Sequence, residues 1–245
     1  MNNKKNQLFV EGRNDQRIFE KLLHDTDINN VVDVLPPSQG EKDNKIGDGV
    51  NNLIKILPVM IKSLEAGNRL AIVVDADYFD EISNKKGSFL KRREEICEII
   101  SRNGYIVPEY SPSSKMKGEI FPHKDNEIPP IGLWIMPNHC DDGMMEDLIF
   151  DCINPENGAA KILSKHIEPA IDKLLSDAEI SSYFFNKEKH LNKVKLETWV
   201  FWQNGEKSMG GKFGKKGLFN MEHENIKNLK DWLKRVFVDD YGIED

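Results

Sequence analysis

One stretch constrains the fold more than any other: Leu70-Ala71-Ile72-Val73-Val74 is continuously apolar and breaks directly into Asp75-Ala76-Asp77. A strand with one wet face would alternate; an unbroken run predicts a strand covered on both faces, the central strand of a parallel sheet. Parallel strands must be joined by crossovers, so helices have to alternate with further strands. The chain supplies them. Gln7–Val10 predicts a buried first strand, and Ile18, Phe19, Leu22 and Leu23 form one helical stripe after it. Val31–Leu35 predicts a strand closed by Pro36-Pro37, and Ser38–Asn52 a polar loop. Leu53, Ile54, Leu57, Met60, Ile61 and Leu64 predict a helix kinked at Pro58 and ended by Gly67-Asn68. Ser88–Asn103 predicts an amphipathic helix stopped by Gly104, Tyr105–Val107 a strand, and Ser111–Pro130 a loop. Gly132–Met136 predicts another buried strand, with a helix from about Met144. Beyond Gly158 the pattern is helical: Ala159–Leu175, Leu191–Gln203 and Asn225–Phe237. The expected division is residues 1–155 as an α/β core and 156–245 as a C-terminal helical region.

Composition narrows the function classes. With 34 basic against 41 acidic residues, the net charge is −7 and the pI about 5.5. A histone-like or sequence-reading DNA binder is usually basic, so that class is disfavoured. A nucleic-acid enzyme is not, because metal-dependent phosphodiester chemistry gathers carboxylates and the bound cation reverses the local sign. Cys97, Cys140 and Cys152 form no CxxC pair, which argues against a thiolate zinc site. No apolar run reaches the ~18 residues of a membrane span, and MNNKKNQLFVEG has no signal-peptide hydrophobic region. The expected location is the cytoplasm.

The carboxylates carry the chemical signal. Glu11, the Asp75/Asp77 pair, and Glu146 with Asp147 each follow a predicted strand. In an open parallel sheet, ligands bind at the carboxyl ends of the strands. Asp75 and Asp77 are two apart and share a face on extended backbone. Asp15, four residues after Glu11, can fold back toward it from the first helical turn. One such acid alone is usually a turn or cap residue; several converging acids repel unless a cation joins them. Mg²⁺ or Mn²⁺ suits that donor set, since hard divalent ions take carboxylate, water and phosphate oxygens.

These residues also carry a resemblance. Leu8-Phe9-Val10-Glu11-Gly12-Arg13-Asn14-Asp15 followed by Ile72-Val73-Val74-Asp75-Ala76-Asp77 resembles the Toprim domain of topoisomerases, primases and OLD-family nucleases. Gly132–Pro137, Gly143-Met144-Met145-Glu146-Asp147-Leu148-Ile149, the segment Lys193–Gln203 and Met209-Gly210 extend the likeness to a small family related to OLD nucleases and antiphage Toprim effectors. The resemblance implies a Toprim-like parallel sheet with helices on both faces, followed by the C-terminal helical part. It implies a metal-dependent nuclease cleaving DNA or RNA, tRNA included, as an antiphage defence effector alone, self-associated or with a partner ATPase. Glu11 matches the Toprim glutamate, a metal ligand or general acid/base. Asp75 and Asp77 match the metal-binding pair, and Asp15, Glu146 and Asp147 match additional acidic positions. Lys193 matches the catalytic lysine of OLD-like nucleases, with Lys195 and Lys212 behind it. One departure is Val73, apolar where some OLD enzymes carry a polar ligand.

Lys189–Lys216 contains seven Lys against two Glu, interleaved with Trp199, Phe201 and Trp202. Such a segment can track phosphates and stack bases, although Trp199 and Trp202 also fit an ordinary helix core. Lys85–Lys117, with eight basic against four acidic residues, is a candidate for the opposite wall. Gly210–Gly217 lacks P-loop spacing, and His139-Cys140-Asp141-Asp142 lacks zinc spacing. The alternative function is a non-catalytic Toprim module that binds nucleic acid or a partner ATPase. A phosphatase or sugar-nucleotide transferase is disfavoured, since the aspartate pair of such phosphatases follows the first strand.

Overall fold

The computed structural model describes residues 6–238 except 25, 41–45, 65–66, 81–84, 87, 112–114, 178, 180–190, 203–212 and 214–216. Its centre is a five-stranded sheet in the order β2-β1-β3-β7-β6. Strands β1 (Asn6–Phe9), β2 (Val32–Leu35), β3 (Leu70–Asp75) and β7 (Ile131–Met136) run parallel, and β6 (Glu119–Phe121) pairs antiparallel with β7 on the edge. A two-stranded ribbon, β4 (Phe79–Asp80) with β5 (Lys85–Lys86), rises beyond the end of β3. As the apolar run requires, β3 is central and buried along its length up to Asp75.

Helices cover both faces. Side chains of alternate sheet residues (Leu8, Ala71, Val73, Trp134) meet α1 (Arg13–His24), α5 (Met145–Asp151) and the C-terminal helices. The opposite set (Phe9, Ile72, Val74, Leu133) meets α3 (Val50–Ser63) and α4 (Phe89–Arg102). The Ser88 side chain caps α4 by accepting from Lys91 N–H. The helix α3 continues through Pro58. The expected loop at Ser38–Asn52 opens instead with a helical turn, α2 (Pro37–Gly40), and α3 begins at Val50.

Three other expectations are corrected. Tyr105–Val107 is not a strand: Tyr105 makes a single antiparallel bridge to His123, and Ile106 N–H donates to Pro122. The edge strand is β6, inside the expected loop at Ser111–Pro130. The helix expected over Ala159–Leu175 is α6 (Gly158–Ile162), a π-helical turn at Leu163–Ile167 and α7 (Glu168–Ser176).

Helices α8 (Leu191–Trp202) and α9 (Glu224–Phe237) follow. Residue 155 marks a change of composition, and the apolar core crosses it: Trp134 of the sheet packs with Trp232 of α9 at 5.6 Å between centroids. Close approach requires Gly132, where a Cβ would stand 2.5 Å from Val236 Cγ2. Trp199 is buried in the same cluster, whereas Trp202 lies 56% exposed at the end of α8. Core packing therefore accounts for one tryptophan of that pair and not the other. Among the described residues no helix is long and apolar enough to cross a membrane.

Candidate metal centre

The carboxyl ends of β1 and β3 and the start of α5 meet at one place. Glu11 follows β1, whose last turn outward is fixed by Val10 N–H on Leu35 O, and Asp15 lies in the first turn of α1. Glu11 Oε1 accepts the Asp75 N–H at 2.7 Å, which joins the two strand ends directly. Asp75 Oδ1 in turn accepts the Met145 N–H at 2.9 Å. That places the carboxylate at the N-terminus of α5, where exposed N–H groups favour negative charge. Glu146 occupies the same first turn, and its Oε1 lies 3.1 Å from Lys193 Nζ of α8. Glu11, Asp15, Asp75, Glu146 and Lys193 are thus brought together from parts of the chain far apart in sequence.

The electrostatics follow from crowding and lost water. Burial pushes the Glu11 carboxyl up to about 8, opposing the Asp75 N–H, and Asp15 adds repulsion. Burial, then Glu146, pushes Asp15 up to about 7, opposed by the Gly12 N–H and Lys193. Asp75 is held well above the usual carboxylate range by burial, then by Glu11, Asp15 and Glu146. Burial works to lower the Lys193 ammonium, but Glu146 outweighs it and the net shift is upward. Such a set is short of positive charge.

Asp77 and Asp147 stand in this neighbourhood with different partners. Asp77 has a left-handed backbone, φ +62°, and forms an antiparallel bridge with Gly143 through N–H···O distances of 2.9 and 3.2 Å. Gly143 has φ +143°, and a Cβ there would lie 2.8 Å from Asp147 Oδ2; only glycine fits. The Asp77 Oδ2 accepts from Arg92 at 3.0 Å. Asp147 Oδ2 accepts the Met144 N–H at 2.7 Å, and its Oδ1 accepts from Asn192 Nδ2 at 2.7 Å. The Tyr78 phenol also bonds to Asp147; burial first, then this bond, pushes its pKa up and keeps it protonated.

The sequence pattern missed Arg92, Asn192, Tyr78 and Asp48. Asp48 acts on Asp15 electrostatically and accepts the Ser38 N–H at 3.3 Å. Tyr78 follows the aspartate pair and Asn192 precedes Lys193, adjacency that offered a clue. Arg92 and Asp48 offered none. The opposite basic wall is not formed by Arg92 and Arg93, which turn inward and are buried. Lys195 also turns inward, toward Glu168 at 3.7 Å and Asp172 at 3.5 Å, instead of facing the acidic cluster. Lys212 and Met209-Gly210 lie outside the described residues. His139 is a core residue whose Nδ1 accepts the Ile135 N–H. Burial, then Asp141, raises the Cys140 thiol, the reverse of an activated nucleophile.

Among the described residues, no group of three or more His, Cys, Asp or Glu stands ready-made to hold a metal ion. The donor chemistry nevertheless fits a hard divalent cation, since Glu11, Asp15, Asp75 and Glu146 offer only oxygens.

Residues 5–238 match the family model described as "Protein of unknown function (DUF3226)". That span covers nearly all of the chain, which belongs to this family. No curated protein and no solved structure matches it.

Proposed function

We propose that this family member is a Mg²⁺- or Mn²⁺-dependent nuclease that hydrolyses phosphodiester bonds of DNA or RNA, with Glu11, Asp15, Asp75 and Glu146 as the ion-binding set. The observation that carries this reading is the convergence of those carboxylates at the ends of two neighbouring parallel strands, with one lysine at their edge. The Toprim-like order of the motifs points the same way. A bound divalent ion supplies water activation and charge stabilisation to such a reaction.

The chain's own groups have distinct tasks. Glu11 holds the ion or exchanges a proton; in the metal-free chain burial pushes its carboxyl up to about 8. Lys193 has a side chain 40% exposed, so a phosphate entering the site can replace Glu146 as its partner. There the ammonium offsets negative charge developing on the phosphoryl oxygens. Asp75, fixed by the Met145 N–H, orients the ion-binding face. An antiphage role, with or without a partner ATPase, belongs to the same proposal. One observation favours the non-catalytic alternative: no three-ligand group is ready-made among the described residues.

The test is cleavage of plasmid DNA, single-stranded DNA and tRNA side by side, with Mg²⁺ or Mn²⁺ and with chelator. Metal-dependent cleavage of at least one substrate, lost in Asp75→Asn, is the expected result. No cleavage of any substrate favours the binding module, and cleavage that survives chelator overturns the metal mechanism. A product from tRNA alone identifies a ribonuclease.

A further inference from the structure

Strand β7 outruns its edge neighbour. β6 begins at Glu119, opposite Leu133, so it stops two residues short of Ile135. Met136 O points toward β3, where it accepts the Ala76 N–H, and alternation along the strand turns the Ile135 N–H and C=O to the β6 side. Ile135 is fully buried, and buried main-chain groups need partners. His139 supplies both. Its N–H donates to Ile135 O at 2.7 Å, and its ring Nδ1 accepts the Ile135 N–H at 3.0 Å.

That seat fixes the state of the ring. A main-chain N–H can only donate, so Nδ1 carries no proton and the neutral ring holds its proton on Nε2. Nε2 faces Glu119 Oε2 at 3.3 Å. The ring is fully buried, with Phe89 edge-on at 5.2 Å and Trp134 tilted at 5.6 Å between centroids. A second proton has one place to go, Nδ1, where it would confront the Ile135 N–H donor to donor. The surrounding charge does not favour it either. Glu119 of β6 attracts a cation, but Arg93 of α4 already engages both of its oxygens, and Arg235 of α9 adds positive charge. Burial first, with Arg93 and Arg235 behind it, outweighs Glu119 and holds the imidazole below its ordinary range. Cys97 and Tyr110, beside Arg93, and Cys140, next in the chain, stay protonated because burial raises all three.

The loop that follows is anchored through this seat. Side-chain bonds between Asn138 and Asp141 tie residues 138–141 into one unit. Asp142 Oδ1 accepts the Phe89 N–H at 2.7 Å at the start of α4, and Gly143 exchanges main-chain bonds with Asp77 after β3. We propose that His139 is an acid-released latch. The neutral ring closes the end of β7 and holds residues 138–143 against α4 and the turn after β3; on taking up a proton it leaves its seat and frees that loop. The device belongs to the fold and does not depend on the metal-dependent reading above.

The experiment is NMR of the full chain between pH 7 and pH 5. Long-range proton–nitrogen correlation locates the imidazole proton, and amide exchange, expressed as protection factors, reads the loop. Ile72, in the middle of the sheet, is the internal reference. The expected ring at pH 7 carries its proton on Nε2. The open form binds a second proton more readily than the closed one, so acid favours opening. Protection at Ile135, Phe89 and Gly143 relative to Ile72 should fall at least ~10-fold over this interval, since opening gains up to about tenfold per pH unit below 6.5. His139→Asn tolerates the left-handed backbone, φ +57°, and offers an oxygen to the Ile135 N–H without titrating. Its protection ratio should stay within about twofold. An equal fall in parent and variant overturns the proposal, as does a parent ratio that does not change. If the variant fails to fold, the parent decides alone: a proton on Nδ1 at pH 7, or a protonated ring with Ile135 and Gly143 still protected, overturns it.

Discussion

Among the described residues, a charged cluster buried at the edge of the sheet and a half-buried one at the strand ends are built on opposite plans. At the edge of the sheet, Arg93 donates from Nε and a terminal nitrogen to both oxygens of Glu119 at 2.6–3.1 Å, and also to Pro108 O. His139 Nε2 lies 3.3 Å from Glu119 Oε2, near enough to interact without a well-formed hydrogen bond. Burial would raise the Glu119 carboxyl, but His139 and Arg93 outweigh it and hold it low. At the strand ends, Glu11, Asp15 and Asp75 are all pushed up, and Lys193 is shared with Glu146. The first cluster balances its charge within the fold, whereas the second keeps more carboxylates than the neighbouring Lys193 ammonium and Arg92 guanidinium offset.

Substitutions should respond accordingly. The largest expected loss of stability is for Glu119→Gln, about 3 kcal/mol, because a buried guanidinium loses its counter-charge. Chemical denaturation should show the deficit undiminished by Mg²⁺; recovery with Mg²⁺ would erase the distinction between the two clusters. Lys193→Ala should lower turnover by about 10²–10³, the scale of one transition-state charge stabiliser, with Mn²⁺ affinity nearly unchanged. Glu11→Gln keeps an acceptor for the Asp75 N–H and removes only charge. It should cost at least ~10² in rate, while the metal-free protein melts at a higher temperature at pH 8 because repulsion is relieved. Lys195→Ala should reduce stability by about 1 kcal/mol, since the lysine is buried but its partners Glu168 and Asp172 remain partly in water, and leave the salt dependence of substrate binding unaltered. A strong salt effect on that variant would return Lys195 to the substrate face.

The contrast also explains what could be read from sequence. β3 and β7 were legible because buried strands are continuous apolar runs, and α1 and α4 because their buried residues recur at helical spacing. β6 was not, since three residues, Glu119-Ile120-Phe121, carry no period and lie among Lys, Pro and Ser. Nor was the break at Leu163–Ile167, where the apolar spacing continues across the π-helical turn. Within the site, Glu11, Asp75 and Glu146 were readable because strand ends locate them. The commitment of Asp77 to Arg92 and of Asp147 to Asn192 was not, because those pairs span 15 and 45 residues and depend on how α4 and α8 pack. Lysine placement was equally opaque: Lys193 and Lys195 are two apart on one helix yet face Glu146 and Glu168 respectively.

Thermal unfolding against pH tests the claim that the strand-end carboxylates are short of a cation. Glu11 and Asp15 have folded values of about 8 and 7, above their ordinary 4.5 and 3.8. The folded chain therefore holds protons that the unfolded chain releases. Their stabilising contribution is complete below the ordinary values and is lost as pH rises through 7 and 8. In chelator the melting temperature should fall from pH 5 to pH 8.5, more steeply than for a Glu11→Gln/Asp75→Asn variant. Mg²⁺ at pH 8.5 should restore the parent and leave the variant unmoved. A parent curve that parallels the variant's in chelator, and does not respond to Mg²⁺, would contradict the claim.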